Sequence, residues 1–286
     1  MKKIIALAVA GAFVAPAFAA DVTVTGESEM TYVTTSGSTD AATNADNVVV
    51  VTASDEIDGV SISTSIVLDQ DAVYDASTSG DGSSLTIGAN GITLAMGDVA
   101  GAMDAVGDYT DISPAHGGFD ADGDDHSFLL TLPAMGGVQA YLSMSPTTGF
   151  DGSTADSTGY GAKVGVGAGE VYFGGQEDAD SKWQAYGVKY SMGNIYVAYE
   201  RGSDDAGTAA DIKYTGFAAK YTMGDLVAGF EMQETKTDGS AASVDETITF
   251  LEYNLGSSVD IYIAREDNAD ATGTADQTTV GVEYAF

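Results

Sequence analysis

Seven aspartates crowd the middle of this chain: Asp104, Asp108, Asp111, Asp120, Asp122, Asp124 and Asp125. Gathered carboxylates concentrate cations and repel anions. The tightest run, Asp120-Ala121-Asp122-Gly123-Asp124-Asp125, offers several hard oxygens close together, as Ca2+ prefers. Asp120, Asp122 and Asp124 are therefore a candidate Ca2+ site. The run is not an EF-hand, because its glycine is misplaced and the terminal glutamate is missing. Bond-breaking chemistry has little to work with. His116 and His126 lie in or beside the same acidic stretch, and His126 next to Ser127 is not a triad. No nucleophile elbow, metal-binding His pair or phosphate loop occurs. The chain reads as a non-enzyme that requires no cofactor.

The charge balance narrows the partners. The 286 residues hold 43 Asp+Glu against 10 Lys+Arg. Nucleic acid is excluded, because phosphate binding needs a basic face. Simple disorder is also excluded, since 44% of residues are hydrophobic and there are 15 Tyr and 10 Phe. Cysteine is absent, so there are no disulfides or thiolate metal sites. Residues 1–19 have the form of a signal peptide. Lys2 and Lys3 precede an apolar run, and Ala17-Phe18-Ala19 is a small-residue cleavage site. Export follows. No later apolar stretch is long enough for a spanning helix.

The elements that hold these side chains are strands. Val60, Ile62, Ile66 and Leu68 share one face, with Ser61, Ser63 and Ser65 on the other. Val280, Val282, Tyr284 and Phe286 alternate in the same way with Thr279, Gly281 and Glu283. Period two is the signature of a strand with one apolar and one polar face. Short connections such as Ile57-Asp58-Gly59 and Ala89-Asn90-Gly91 mark hairpins. They alternate with longer polar segments, about 36–46, 70–83, 100–125, 146–157, 177–181, 202–210, 236–243 and 267–275. Seven hairpins and a strand at each terminus make 16 strands, the first about 22–34 and the last about 276–286. With both termini at the short-turn end, the expected fold is an all-β transmembrane antiparallel β-barrel over residues 20–286. So wide a ring cannot be filled by side chains, so the polar face lines water and the apolar face meets lipid. Tyr160, Tyr172, Phe173, Tyr190, Tyr196, Tyr199, Tyr221, Tyr253 and Tyr284 lie near strand ends and read as aromatic girdles.

Four segments carry a family resemblance: Ala20 to Gly26 after the leader, Thr52 to Val60, Leu85 to Val99 leading into the longest loop, and the terminal Tyr284-Ala285-Phe286. The chain resembles the Gram-negative general porins. The resemblance implies a homotrimer of 16-stranded barrels in the outer membrane, in contact with lipid and lipopolysaccharide. It implies that Tyr284 and Phe286 form the signal read by the outer-membrane assembly machinery. It also implies that the loop at about 100–125 folds inward as the pore constriction, carrying the seven aspartates.

The family sets basic wall residues against this acidic loop, and this sequence departs from that. No Lys or Arg occurs between Lys3 and Lys163. Glu27 and Glu29 alternate with Met30 and Tyr32 and so face the lumen, and Lys163, Lys189 and Lys220 face inward by the same rule. The expected function is a cation-selective diffusion pore for small hydrophilic solutes. Two other readings stand beside it. One is a secreted, soluble acidic β-protein, an adhesin or a Ca2+ binder. The other is a substrate-specific sugar channel, for which Tyr141 and Tyr172 point inward.

Overall fold

A computed structural model of the chain describes residues 20–69, 82–115, 126–146, 156–178, 181–205, 207, 210–240, 243–256, 258–268 and 275–286. The first eight strands are β1 (Asp21–Thr35), β2 (Ala41–Ile57), β3 (Val60–Asp69), β4 (Ser83–Ala89), β5 (Ile92–Val99), β6 (His126–Thr131), β7 (Val138–Ser145) and β8 (Ser157–Val166). The second eight are β9 (Gly169–Glu177), β10 (Lys182–Met192), β11 (Ile195–Asp205), β12 (Ile212–Met223), β13 (Leu226–Thr237), β14 (Ser243–Asn254), β15 (Val259–Asn268) and β16 (Gln277–Ala285). Each pairs antiparallel with its neighbours in sequence, and β1 pairs with β16, so the sheet is a closed barrel of 16 strands. Two bonds of 2.9 Å between Gly26 and Phe286, one in each direction, complete the seam. Closure leaves no unpaired edge.

The short turns follow their residue chemistry. Asp58 and Asn90 have φ of 52°, and the glycine after each has φ of 80°. Two successive positive φ values are the type I′ hairpin that Asp-Gly and Asn-Gly favour. Two polar segments differ from the sequence reading. Residues 41–46 are strand, paired with β1 through Tyr32↔Thr43 and Glu29↔Asp46. Residues 202–205 likewise extend β11. The first is mostly Ala, Asn and Asp and the second Gly, Ser and Asp, all weak strand formers, and the backbone ladder of the neighbouring strand overrides that preference.

Apolar side chains stand on the outer face, among them Val24, Met30, Ile66, Leu142, Phe173, Val188, Leu251 and Val282. Among the described residues, clusters of buried apolar side chains form where a segment from inside covers the wall. Residues 101–115 leave β5 at an irregularity between Met96 and Val99 and lie against the inner face. There Met103, Val106 and Tyr109 bury against Tyr172, Ala185, Ala198 and Ala218. Farther along, Ile112 and Ala115 pack on Ile248, Phe250 and Ala264. Tyr172 and Tyr196 therefore do not belong to an outer girdle. Tyr172 is buried beneath the inner segment, and the Tyr196 hydroxyl donates to the Tyr109 carbonyl at 2.6 Å. In both strands the ring falls on the inward phase of the alternation, which proximity to a strand end does not reveal.

Candidate functional site

The inner segment begins as a tight helical turn. Gly107 N donates to the Met103 carbonyl at 2.8 Å, and the Asp104 carboxylate accepts Gly101 N–H at 2.5 Å. Its close approach depends on missing side chains in the wall. A Cβ on Gly161 would lie 2.3 Å from the Ala102 carbonyl oxygen, and one on Gly187 would lie 2.2 Å from the Tyr172 ring. Ala102 N–H donates to Ser143 Oγ at 2.9 Å. Lys163 Nζ donates to the Ala105 carbonyl at 2.9 Å. The segment then runs across the wall from β9 to β15.

Three wall carboxylates receive it in order. The Tyr109 hydroxyl donates to Glu170 at 2.7 Å. Tyr109 N–H and Thr110 N–H donate to the two oxygens of Glu200 at 2.8 and 2.9 Å, and Thr110 Oγ1 adds a bond of 2.7 Å. Ile112 N–H donates to Glu231 at 2.5 Å. Burial, then the hydrogen bond to Glu170, pushes the Tyr109 phenol well above its ordinary pKa, so it remains a neutral donor.

The three lysines named from the sequence all face inward, and all lie on the covered side. Lys163 sits 5.5 Å from the centre of the Tyr141 ring, Lys189 sits 4.0 Å from that of Tyr109, and Lys220 sits 5.5 Å from that of Tyr196. Lys189 also pairs with Glu170 at 2.9 Å. Cation–π contacts and ion pairs thus occupy these cations beside the inner segment.

Glu27 and Glu29 lie on the opposite, uncovered side, and the register adds companions that the linear sequence hides. Glu29 pairs directly with Asp46 on β2 and with Glu283 on β16, and Glu283 pairs with Asp260 on β15. Directly paired residues share a face of the sheet. Asp46, Glu29, Glu283 and Asp260 therefore form one row of carboxylates across four adjacent strands on the lumen side. The Tyr262 hydroxyl donates to Glu29. No basic residue occurs on β1, β2 or β16.

The aspartates named from the sequence have separate fates. Asp104 turns back on its own segment, whereas Asp108 is exposed at a φ of 67°. Asp111 is half-buried. Asp120, Asp122, Asp124 and Asp125 lie outside the described residues, as do residues 1–19. Among the described residues, no group of three or more His, Asp or Glu side chains is arranged to hold a metal ion. Tyr284 and Phe286 stack with ring centres 5.9 Å apart at the seam. Sequence reasoning missed Glu170, Glu200 and Glu231. Their inward phase was the available signal, but only the fold places each acid beside its loop partner. Tyr172 faces inward, but it is covered and offers no surface to a passing solute.

A family model for Gram-negative porins matches residues 6–270. Solved structures are similar over the whole barrel. A doubly substituted variant of the Rhodopseudomonas blastica porin shares 15% identity, with a TM-score of 0.71 over 93% of this chain and 100% of its own. A triply substituted variant of the same porin has 16% identity and the same TM-score and coverage. A porin structure refined at 1.8 Å resolution has 19% identity and a TM-score of 0.71, again covering 93% and 100% of the two chains. At these identities the structures speak for the fold alone. No curated protein matches the chain.

Proposed function

The chain belongs to the Gram-negative porin family, and on that premise we propose that it forms a cation-selective pore for small hydrophilic solutes, constricted by residues 101–115. Family and fold make it an outer-membrane diffusion channel rather than an enzyme or a soluble secreted protein. The observation that carries selectivity is the row Asp46–Glu29–Glu283–Asp260 on the uncovered wall. Like charges directly opposite one another destabilise a sheet by roughly 0.2–1 kcal/mol per pair. Their field in a lumen with low-dielectric walls raises the local concentration of cations. The inward lysines do not offset it there, because they lie beside the inner segment on the far wall. Reversal potential in planar bilayers under a KCl gradient tests the reading: cation preference is expected, and anion preference rejects it.

Porins of this family are commonly trimeric, and we assign this chain to a homotrimer. Strands β2 to β5 carry no aromatic residue at all, while outward rings occur on β1, β8 to β12, β14 and β16. A lipid-facing wall needs aromatic rings at the membrane interfaces, so the ring-free quarter suits contact with a second copy. Cross-linking in membranes should give a trimer; a monomer alone rejects this. Export through a signal peptide at 1–19, recognition of Phe286 by the assembly machinery and contact with lipopolysaccharide belong to the same reading. Phe286→Ala should lower the amount of assembled barrel in outer membranes. Ca2+ on Asp120, Asp122 and Asp124 is proposed from their hard oxygens; unchanged conductance and thermal stability after chelation would reject it.

A further inference from the structure

We propose that Trp183, Tyr214 and Asp204 form a binding site for the methylated ammonium group of small organic cations, at the long-loop end of β10 to β12. The site faces the lumen, so it rests on the reading of the barrel as a pore for its access from outside. Trp183 and Tyr214 both pack on the buried cluster that contains Met103, Val106 and Tyr109, so both are turned inward. Their ring centres lie 4.8 Å apart at an interplanar angle of 60°. The rings thus make a corner rather than a flat track. Asp204 on β11 joins them. It pairs directly with Trp183 on one side, and on the other with Ile212, two residues before Tyr214. Directly paired residues share a face, and diagonal neighbours on that face are within reach of aromatic and long side chains. Gly202, opposite Tyr214, adds no side chain beside that ring.

A second observation points to a cation. Asp204 Oδ1 is buried and accepts no hydrogen bond among the described residues. A buried acceptor of this kind calls for a donor or a positive charge. Asp178, Asp205 and Asp211 lie close enough to add their own negative charge. Among the described residues, Asp204 is the single charge on the inward phase of β9 to β12 between Glu200 and the loop end, while Lys182, Arg201 and Lys213 fall on the outward phase. The corner therefore combines two π faces and a carboxylate with no base on the same face. Such a site favours a cation that sheds water easily, because the attraction of a ring face is strongest when the cation is desolvated. A methylated ammonium meets that condition, whereas small inorganic cations hold their hydration shells. One carboxylate is too few for Ca2+, which takes roughly six to eight oxygens. Rings set at an angle give a sugar no flat face to stack on.

Trp183 is the only tryptophan in the chain, so tryptophan fluorescence reports on this corner alone. The full-length chain is purified from outer membranes and its heat-modifiable migration is used to verify folding. It is titrated with choline chloride and, separately, with dimethylbutanol, in which a carbon replaces the ammonium nitrogen, at an ionic strength held constant with NaCl. Choline should give a saturable change in fluorescence, half-complete at about a tenfold lower concentration than any change with the alcohol. Tyr214→Leu and Asp204→Asn should each raise the half-saturating choline concentration about tenfold, whereas Tyr214→Phe, which keeps the ring, should change it less than about twofold. The absence of a saturable change with choline in the folded wild-type channel would overturn the proposal, as would an equal response to the alcohol. Equal weakening by Tyr214→Phe and Tyr214→Leu would overturn the role of the ring. The wild-type comparison stands whether or not a variant folds. Anion preference in the KCl gradient would reject the selectivity reading, while saturable choline binding in the same protein would leave this site standing.

Discussion

The covered and uncovered sides of the lumen are built from the same kind of strand and put charge to opposite uses. On the covered side, from β8 to β15, glycine and alanine let the inner segment approach, and Glu170, Glu200, Glu231 and Lys163 hold it. Charge there is directed at particular donors and acceptors, and at Glu200 and Glu231 it is buried. On the uncovered side, β15, β16, β1 and β2 align carboxylates beside one another with no base on three of the four strands. Charge there acts through its field. Buried hydrogen-bonded charge resists salt and fixes geometry, whereas exposed charge of one sign is screened and fixes which ions gather.

The largest effect should come from filling the gap beneath the loop. Gly161→Leu would press a side chain into the Ala102 carbonyl and the Val106 methyls. Overpacking of this kind costs about 1–3 kcal/mol, and the loop should move into the lumen, cutting single-channel conductance by roughly half or more. Thr25→Val on the uncovered wall meets no such segment and should leave conductance nearly unchanged. Equal effects of the two would break the contrast.

Neutralising the carboxylate row comes next. Glu29→Gln with Glu283→Gln should move the reversal potential towards zero and raise thermal stability, since relief of a like-charge pair returns about 0.2–1 kcal/mol. Selectivity lost together with stability would show that the row serves packing instead. Salt separates the two sides without mutation. Raising KCl from about 0.01 M to about 1 M shortens the Debye length from about 30 Å to about 3 Å. Cation preference should fall steeply across that range, while protection of the Thr110 amide from hydrogen exchange, set by its bond to the buried Glu200, should not follow it. Lys163→Met should cost about 1 kcal/mol in thermal unfolding through the lost bond to Ala105. Smallest of all, Lys213→Gln breaks an exposed pair with Asp238 at 2.8 Å and should change stability by no more than about 1 kcal/mol and selectivity not at all.

Legibility in the sequence followed the range of the interaction involved. Asp58-Gly59 and Asn90-Gly91 announced their turns, because positive φ is a local demand. The inward phase of Glu27, Glu29, Lys163, Lys189 and Lys220 followed from counting by twos along single strands. Residues 41–46 read as loop because their pairing partner is on another strand. Tyr172 and Tyr196 group with the girdle by nearness to strand ends, although alternation already turns Tyr172 inward; it is their cover by the inner segment that has no local mark. Asp104 and Asp108, four residues apart, read alike, yet one carboxylate turns to Gly101 and the other residue is exposed.

Composition and pattern alone were enough for an all-β chain of 16 strands with a polar inner face, an apolar outer face and no base between Lys3 and Lys163. Those properties depend on composition, on period two and on turn residues, all of which act over a few neighbouring positions. Which charges act together depends on the closed fold. Closing β1 onto β16 brought residues 29 and 283 side by side in the carboxylate row, and folding residues 101–115 against the wall brought Thr110 to Glu200. Both outcomes depend on register between distant strands, which a period-two pattern constrains to a face but does not fix along the strand.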